Sequence, residues 1–106
     1  MIYLACPYNG DSEIRKLRFK QVNEVAGKLM AERKYVFSPI SHTHPIAEET
    51  SLPLGWDYWE QYDRKFIEMC DEMYVLKLDG WEDSIGVSAE IKIAKELDMK
   101  ITYLEK

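Results

Sequence analysis

Four short apolar runs constrain this chain more than any other feature. Met1-Ile-Tyr-Leu-Ala-Cys6, Tyr35-Val-Phe37, Met73-Tyr-Val-Leu-Lys-Leu78 and Lys100-Ile-Thr-Tyr-Leu104 are each too short for a helix, and turn residues such as Pro7, Ser38-Pro39 and Asp79-Gly80 close the first three. Runs of this kind read as strands, the unbroken ones as strands covered on both faces. The segments between them carry helical spacing. From Glu13 to about Arg33, Ile14, Leu17, Val22, Val25, Ala26 and Leu29 recur on one face, behind a cap at Asp11 or Ser12. Asp57 is placed to cap a second helix marked by Trp59, Tyr62, Phe66 and Cys70. Residues 84 to about 98 form a third, capped by Asp83 or Ser84, with Val87, Ala94 and Leu97 inward. Residues 38 to 56, with Pro39, Pro45 and Pro53 around His42 and His44, read as the longest irregular stretch. A loop that long in a small domain is either functional or disordered.

The order is strand, helix, strand, loop, helix, strand, helix, strand. Strands alternating with helices require parallel pairing and right-handed crossovers. The expected fold is a small three-layer α/β domain, flavodoxin- or Rossmann-like, with a parallel sheet of four or five strands. With 106 residues it forms one domain over 1–106.

Charge narrows the partners. Fourteen Lys and Arg against 19 Asp and Glu give a net charge of −5, which argues against a nucleic-acid or anionic-membrane binder. No apolar run approaches the roughly 18 to 20 residues that span a bilayer, and the opening residues do not read as a signal peptide. Two cysteines, Cys6 and Cys70, read as reduced thiols, so a cytoplasmic location is expected. No phosphate-cradling Walker loop or Gly-x-Gly-x-x-Gly follows the first strand, and no cofactor is expected.

In open parallel sheets, ligands bind beyond the carboxyl ends of the strands, where strand order switches. That rule selects the loops Pro7 to Ser12, Ser38 to Trp56 and Asp79 to Ser84. In Asp79-Gly-Trp-Glu-Asp-Ser-Ile-Gly-Val-Ser-Ala-Glu90 a strand turns into a helix. Gly86 there leaves room for a ligand at the first turn, and Glu90 leans back toward the same end. Asp63, one turn after Trp59, offers a second carboxylate, and Trp59 a ring to stack on a planar group. His42 and His44, read on an extended segment, share a face as a metal pair or as polar lining.

Three segments resemble one family. Tyr3-Leu-Ala-Cys-Pro-Tyr8, then Tyr62-Asp63 followed by Cys70-Asp-Glu-Met-Tyr-Val75, then Ser84-Ile-Gly-Val-Ser-Ala-Glu90-Ile-Lys-Ile-Ala94 are similar, in order, to the motifs of the nucleoside 2-deoxyribosyltransferase-like superfamily. The loop Phe37 to Ile46 resembles a subgroup of small bacterial and phage proteins of unassigned function. The chain departs from the pattern at Lys92, where the family usually has glycine. The sequence ends at Lys106, short of the extension with which the transferases complete a neighbour's site. Water is therefore the expected acceptor.

The resemblance implies cleavage of an N-glycosidic bond in a nucleoside or nucleoside 5′-monophosphate, with release of the free base. Glu90 falls on the family's nucleophile and Asp63 on its second catalytic carboxylate. Tyr3 and Tyr8 position sugar and carboxylate. The expected substrate contacts are Cys6, Pro7, Tyr8, Ser12 and Arg15 from the first loop and helix, His42, His44 and Trp59 from the middle, and Asp79, Ser84 and Gly86 from the last loop. Ser84, Ser12 and Arg15 are the expected phosphate ligands, the alternative being that Ser84 serves only as an N-cap. The resemblance also implies a homodimer. Two other classes fit the residues: a nucleotide-binding module without catalysis, and a metal-assisted hydrolase built on His42 and His44.

Overall fold

A computed structural model describes residues 1–106. The chain runs β1 (Ile2–Ala5), α1 (Ser12–Ala31), β2 (Val36–Phe37), α2 (Pro39–Thr50), α3 (Trp56–Glu68), β3 (Glu72–Leu76), α4 (Ile85–Glu96) and β4 (Lys100–Leu104), with a short 3-10 turn at Trp81–Asp83 before α4. The four strands lie in the order β2-β1-β3-β4, and all their pairings are parallel. Tyr3 stands opposite Phe37 on one side and Met73 on the other, and Val75 opposite Tyr103. This is the small flavodoxin- or Rossmann-like α/β fold that the alternation of runs predicts.

Alternate residues of β1 supply two cores. Tyr3 and Ala5 join Ile67, Met73, Val75, Val87 and Ile93 beneath α3 and α4. Leu4 and Cys6 join Val22, Ala26, Leu29 and Leu76 beneath α1. Both faces of the sheet are thus covered, which is why its central strands read as unbroken apolar runs. No helix is long and apolar enough to cross a membrane.

Four sequence expectations need correction. Residues 38 to 56 are not an irregular loop, because most of them form α2. Ser38 caps that helix by accepting from the Ser41 N–H, and Pro39 occupies its first turn, where a missing N–H costs nothing. Asp57 does not cap α3; Gly55 is the capping position, and Asp57 lies in the first turn, where its charge suits the positive end of the helix dipole. Ile14 and Leu17 are 40% and 53% exposed rather than inward. The 20-residue α1 is about 30 Å long against about 13 Å for the four residues of β1, so its first turns overhang the sheet. Leu97 is exposed because α4 ends at Glu96 and the chain turns away there.

The switch point lies between β1 and β3. The chain leaves β1 toward β2 on one side and returns to β3 on the other. The segments that follow β1 and β3 diverge, and a cleft opens between them.

Candidate active site

A cavity of about 340 Å³ occupies that cleft. Its wall combines residues that follow β1, residues of α2 and the start of α3, and residues that follow β3. The three segments selected from the sequence therefore meet.

Glu90 sits at the bottom. Ser84 caps α4 by accepting from the Val87 N–H at 3.2 Å, and the second turn of that helix carries Glu90 inward, where it is 5% exposed. Its Oε2 accepts from the Tyr3 hydroxyl at 2.5 Å. Tyr3 is fully buried in β1, so the strand that seeds the core also anchors the carboxyl. Asp63, on α3, lines the same cavity.

Burial dominates the electrostatics. Glu90 is pushed up to about 8, first by burial and then by the nearby charge of Asp63, while the Tyr3 hydrogen bond pulls it back. Burial alone lifts Asp63 to about 7. The two carboxyls interact and titrate as a pair, each shifted toward its neutral form by burial. Tyr3 is raised well above the usual phenol range by burial, then by Glu90 and Asp63, so it stays protonated and donates. Cys6 also lines the cavity; burial, helped by Glu90, pushes its thiol far up, so it remains a neutral S–H and not a nucleophile.

Of the residues singled out in the sequence, Cys6, Pro7, Tyr8, Trp59, Asp63, Ser84, Gly86 and Glu90 line the cavity. Tyr3 lies just beneath it. Ser12, Arg15, Asp79, His42 and His44 do not line it. Arg15 turns back to donate to the Gly10 carbonyl at 2.6 Å, and Asp79 contributes only its carbonyl, to Arg18. The histidines are on a helix, so spacing of two sends them to different surroundings. His42 packs near Phe37 and Phe66, whereas His44 stacks on Phe19. No group of three or more His, Cys, Asp or Glu is arranged to hold a metal ion, and the paired-histidine reading has no geometric basis.

Arg18 and Trp56 are among the lining residues that the sequence did not single out. Arg18 enters the cavity one turn beyond Arg15. Its guanidinium donates to the carbonyls of Asn9 and Asp79, both at 2.8 Å, so it ties the segments after β1 and β3 together. Gly80, beside it, takes the left-handed backbone conformation at φ +82°, where glycine is favoured. Trp56 packs beside Gly86, where a Cβ would meet its ring at 3.8 Å. The available signal for Arg18 was its i,i+3 relation to Arg15; which of the two points inward depends on where α1 leaves the loop. Trp56 had no periodic signal.

Above the site, Asn9 donates to the Leu54 carbonyl at 3.0 Å and the Trp59 indole to the Pro53 carbonyl at 2.7 Å. These bonds hold the segment between α2 and α3 over the cavity, where Pro53 and Leu54 line it.

No curated protein matches the chain. A family model does, along the whole of residues 1–106, and the chain belongs to that family, described as a domain of unknown function, DUF1937.

Proposed function

We propose that this protein cleaves the N-glycosidic bond of a nucleoside or nucleoside 5′-monophosphate by way of a glycosyl ester on Glu90. The observation that carries the reading is the pairing of two carboxyls, Glu90 and Asp63, in one cavity, with Glu90 held by Tyr3. Such a pair suits a two-step displacement at an anomeric carbon, by analogy with retaining glycosidases.

The Glu90 carboxylate attacks C1′ as the bond from C1′ to the base breaks. The bonding electrons leave with the base nitrogen, which takes a proton from Asp63. Water then attacks C1′ of the ester, gives its proton to the Asp63 carboxylate and releases Glu90. Another base in place of water gives transfer.

The reactive form places the pair's single proton on Asp63. Tyr3 favours it by donating to Glu90, since a hydrogen bond to the charged form stabilises that form. A bound substrate favours it further, because displacing water from partly exposed Asp63 raises its proton affinity, whereas Glu90 is already dry. Trp56 and Trp59 offer flat apolar surface for a base.

Arg18 supports a phosphorylated substrate and takes the role assigned by sequence to Arg15. It is the one cationic side chain lining the cavity, and backbone carbonyls rather than carboxylates hold it. Ser84 and the start of α4 line the same cavity and favour an anion there. Asp83 opposes a dianion from nearby. Incubation with a panel of nucleosides and their monophosphates, followed by chromatography, tests the reading. Base should be released by the wild type and not by Glu90→Gln.

A further inference from the structure

His44 is the motif that the proposed chemistry leaves unused, and it is one of three buried polar or charged residues in the chain, with Ser38 and Glu90. It is 6% exposed and stacks on Phe19, with ring centroids 4.3 Å apart and planes at 26°. A buried imidazole is costly unless its nitrogens are partnered, and here Nδ1 has a hydrogen-bond partner. Nδ1 shares a hydrogen bond with the Tyr8 hydroxyl, and Nε2 faces Glu48 Oε1 at 3.7 Å, one helical turn along α2.

Electrostatics favour one direction for this chain. Glu48 Oε1 lies 3.7 Å from Nε2, too far for a hydrogen bond but near enough for the carboxylate charge to favour a ring proton on Nε2 over Nδ1. Nδ1 is then an acceptor, and the Tyr8 O–H donates to it. The hydrogen of Tyr8 is spent inside the wall, and its oxygen can only accept from anything else. The Arg15 guanidinium, reaching over from α1, is the other charged group beside that oxygen, and it is itself fastened to the Gly10 carbonyl. A phenol oxygen has two lone pairs, so with its hydrogen spent on Nδ1 it can still accept from a ligand.

Tyr8 lines the cavity, and it follows Cys6, whose thiol feels the charge of Glu90. We infer that His44 is a positioning residue that fixes Tyr8 as a hydrogen-bond acceptor for a sugar hydroxyl of the substrate. The inference rests on the glycosidic reading of the site, in which the sugar sits at Glu90 and the base toward Trp56 and Trp59. Glu48 selects the tautomer, Phe19 holds the ring plane, and Tyr8 meets the substrate.

Two measurements test it, neither of which needs turnover. The chain has two histidines, so a long-range ¹⁵N–¹H spectrum with His42→Gln for assignment reads His44 directly. The expected result is a proton on Nε2 and none on Nδ1 in neutral solution, with the Nδ1 signal shifted in Tyr8→Phe. A proton on Nδ1 overturns the inference.

The second measurement is calorimetric binding of nucleoside monophosphates and their 2′- and 3′-deoxy forms to the Glu90→Gln protein. Removing one of the two hydroxyls should weaken binding by roughly tenfold, the worth of one hydrogen bond. That penalty should vanish in Tyr8→Phe and in His44→Phe, which keeps the stacked ring but offers no acceptor. It should persist in His44→Asn, whose amide oxygen replaces Nδ1. Equal binding of all forms to a protein with Tyr8 and His44 intact overturns the inference and leaves the glycosidic reading standing. Absence of any monophosphate binding defeats the inference together with the phosphorylated-substrate reading. Base release by Glu90→Gln defeats the reaction reading while the tautomer result stands.

Discussion

Tyr3 and Glu90, separated by 87 residues, meet in a buried hydrogen bond of 2.5 Å that joins the first strand to the last helix. The bond satisfies the phenol in the core and holds the carboxyl that the proposed chemistry uses. It also opposes the burial that drives Glu90 toward its neutral form.

Tyr3→Phe should therefore slow the reaction while leaving the fold intact. Loss of the donor raises the proton affinity of Glu90, so the acid limb of the rate profile moves to higher pH. A fall in kcat of roughly 10- to 100-fold is expected for one lost charge-assisted hydrogen bond. A pH series of kcat on both proteins, which reports the substrate complex, checks the shift, and an unmoved acid limb would separate Tyr3 from the ionisation of Glu90.

The same burial predicts how stability changes with pH. Both carboxyls are raised in the folded protein, Asp63 from 3.8 to about 7 and Glu90 from 4.5 to about 8. A group whose folded pKa lies above its unfolded value binds the proton more tightly in the native state. Its contribution is complete below the unfolded pKa and is lost as pH rises through the folded one. The contribution of this pair to stability should therefore fall as pH rises from about 4 to about 8. Glu90→Gln carries no such charge, so its Tm should exceed that of the wild type at pH 8.5 by more than at pH 5. Calorimetry at the two pH values measures this; a constant difference would mean that Glu90 is not held in its neutral form by burial.

Asp63 is tested through the leaving group. Asp63→Asn removes the proton donor, and roughly 10²- to 10⁴-fold loss is expected on a natural nucleotide, the range general acid catalysis supplies. On a p-nitrophenyl glycoside phosphate, whose leaving group departs without protonation, most of that loss should disappear. Equal losses on both substrates would remove Asp63 as the acid.

Much of the fold was legible because its signals are local. Short apolar runs, turn residues and helical spacing mark four strands and three helices, and the Ser84 cap fixes where Glu90 stands on α4. Helix α2 was not legible in the same way. Pro45 lies inside it and removes one backbone hydrogen bond, and its stability comes from contacts that spacing does not show, among them His44 on Phe19 and the Ser41 hydroxyl on Asn23. The one local clue was Ser38-Pro39, a cap followed by proline at the first helical position, which also reads as the end of a strand. The site divides in the same way. Glu90, Asp63 and Ser84 sit at positions set by helix geometry, while the choice of Arg18 over Arg15 depends on the path of a loop that no periodicity describes.

The phosphate reading makes its own prediction. Arg18→Gln should weaken turnover of the monophosphate by roughly 10- to 100-fold, the worth of a charge-assisted contact, and leave the nucleoside far less affected. Ser84→Ala should act in the same direction and also cost about 1 kcal/mol of stability through the lost cap. Comparison of kcat/KM on a nucleoside and its monophosphate checks both, and a ratio unchanged by either substitution would leave Ser84 a cap and Arg18 a tie between loops.

The most direct test of the central claim is the intact mass of the protein, acid-quenched during turnover of a substrate identified by base release. Formation of a glycosyl ester predicts an added mass equal to the sugar, or the sugar phosphate, with the adduct mapping to the peptide that contains Glu90 and absent from Glu90→Gln. Base release by the wild type with no adduct at any quench time, together with release by Glu90→Gln at a comparable rate, would contradict it.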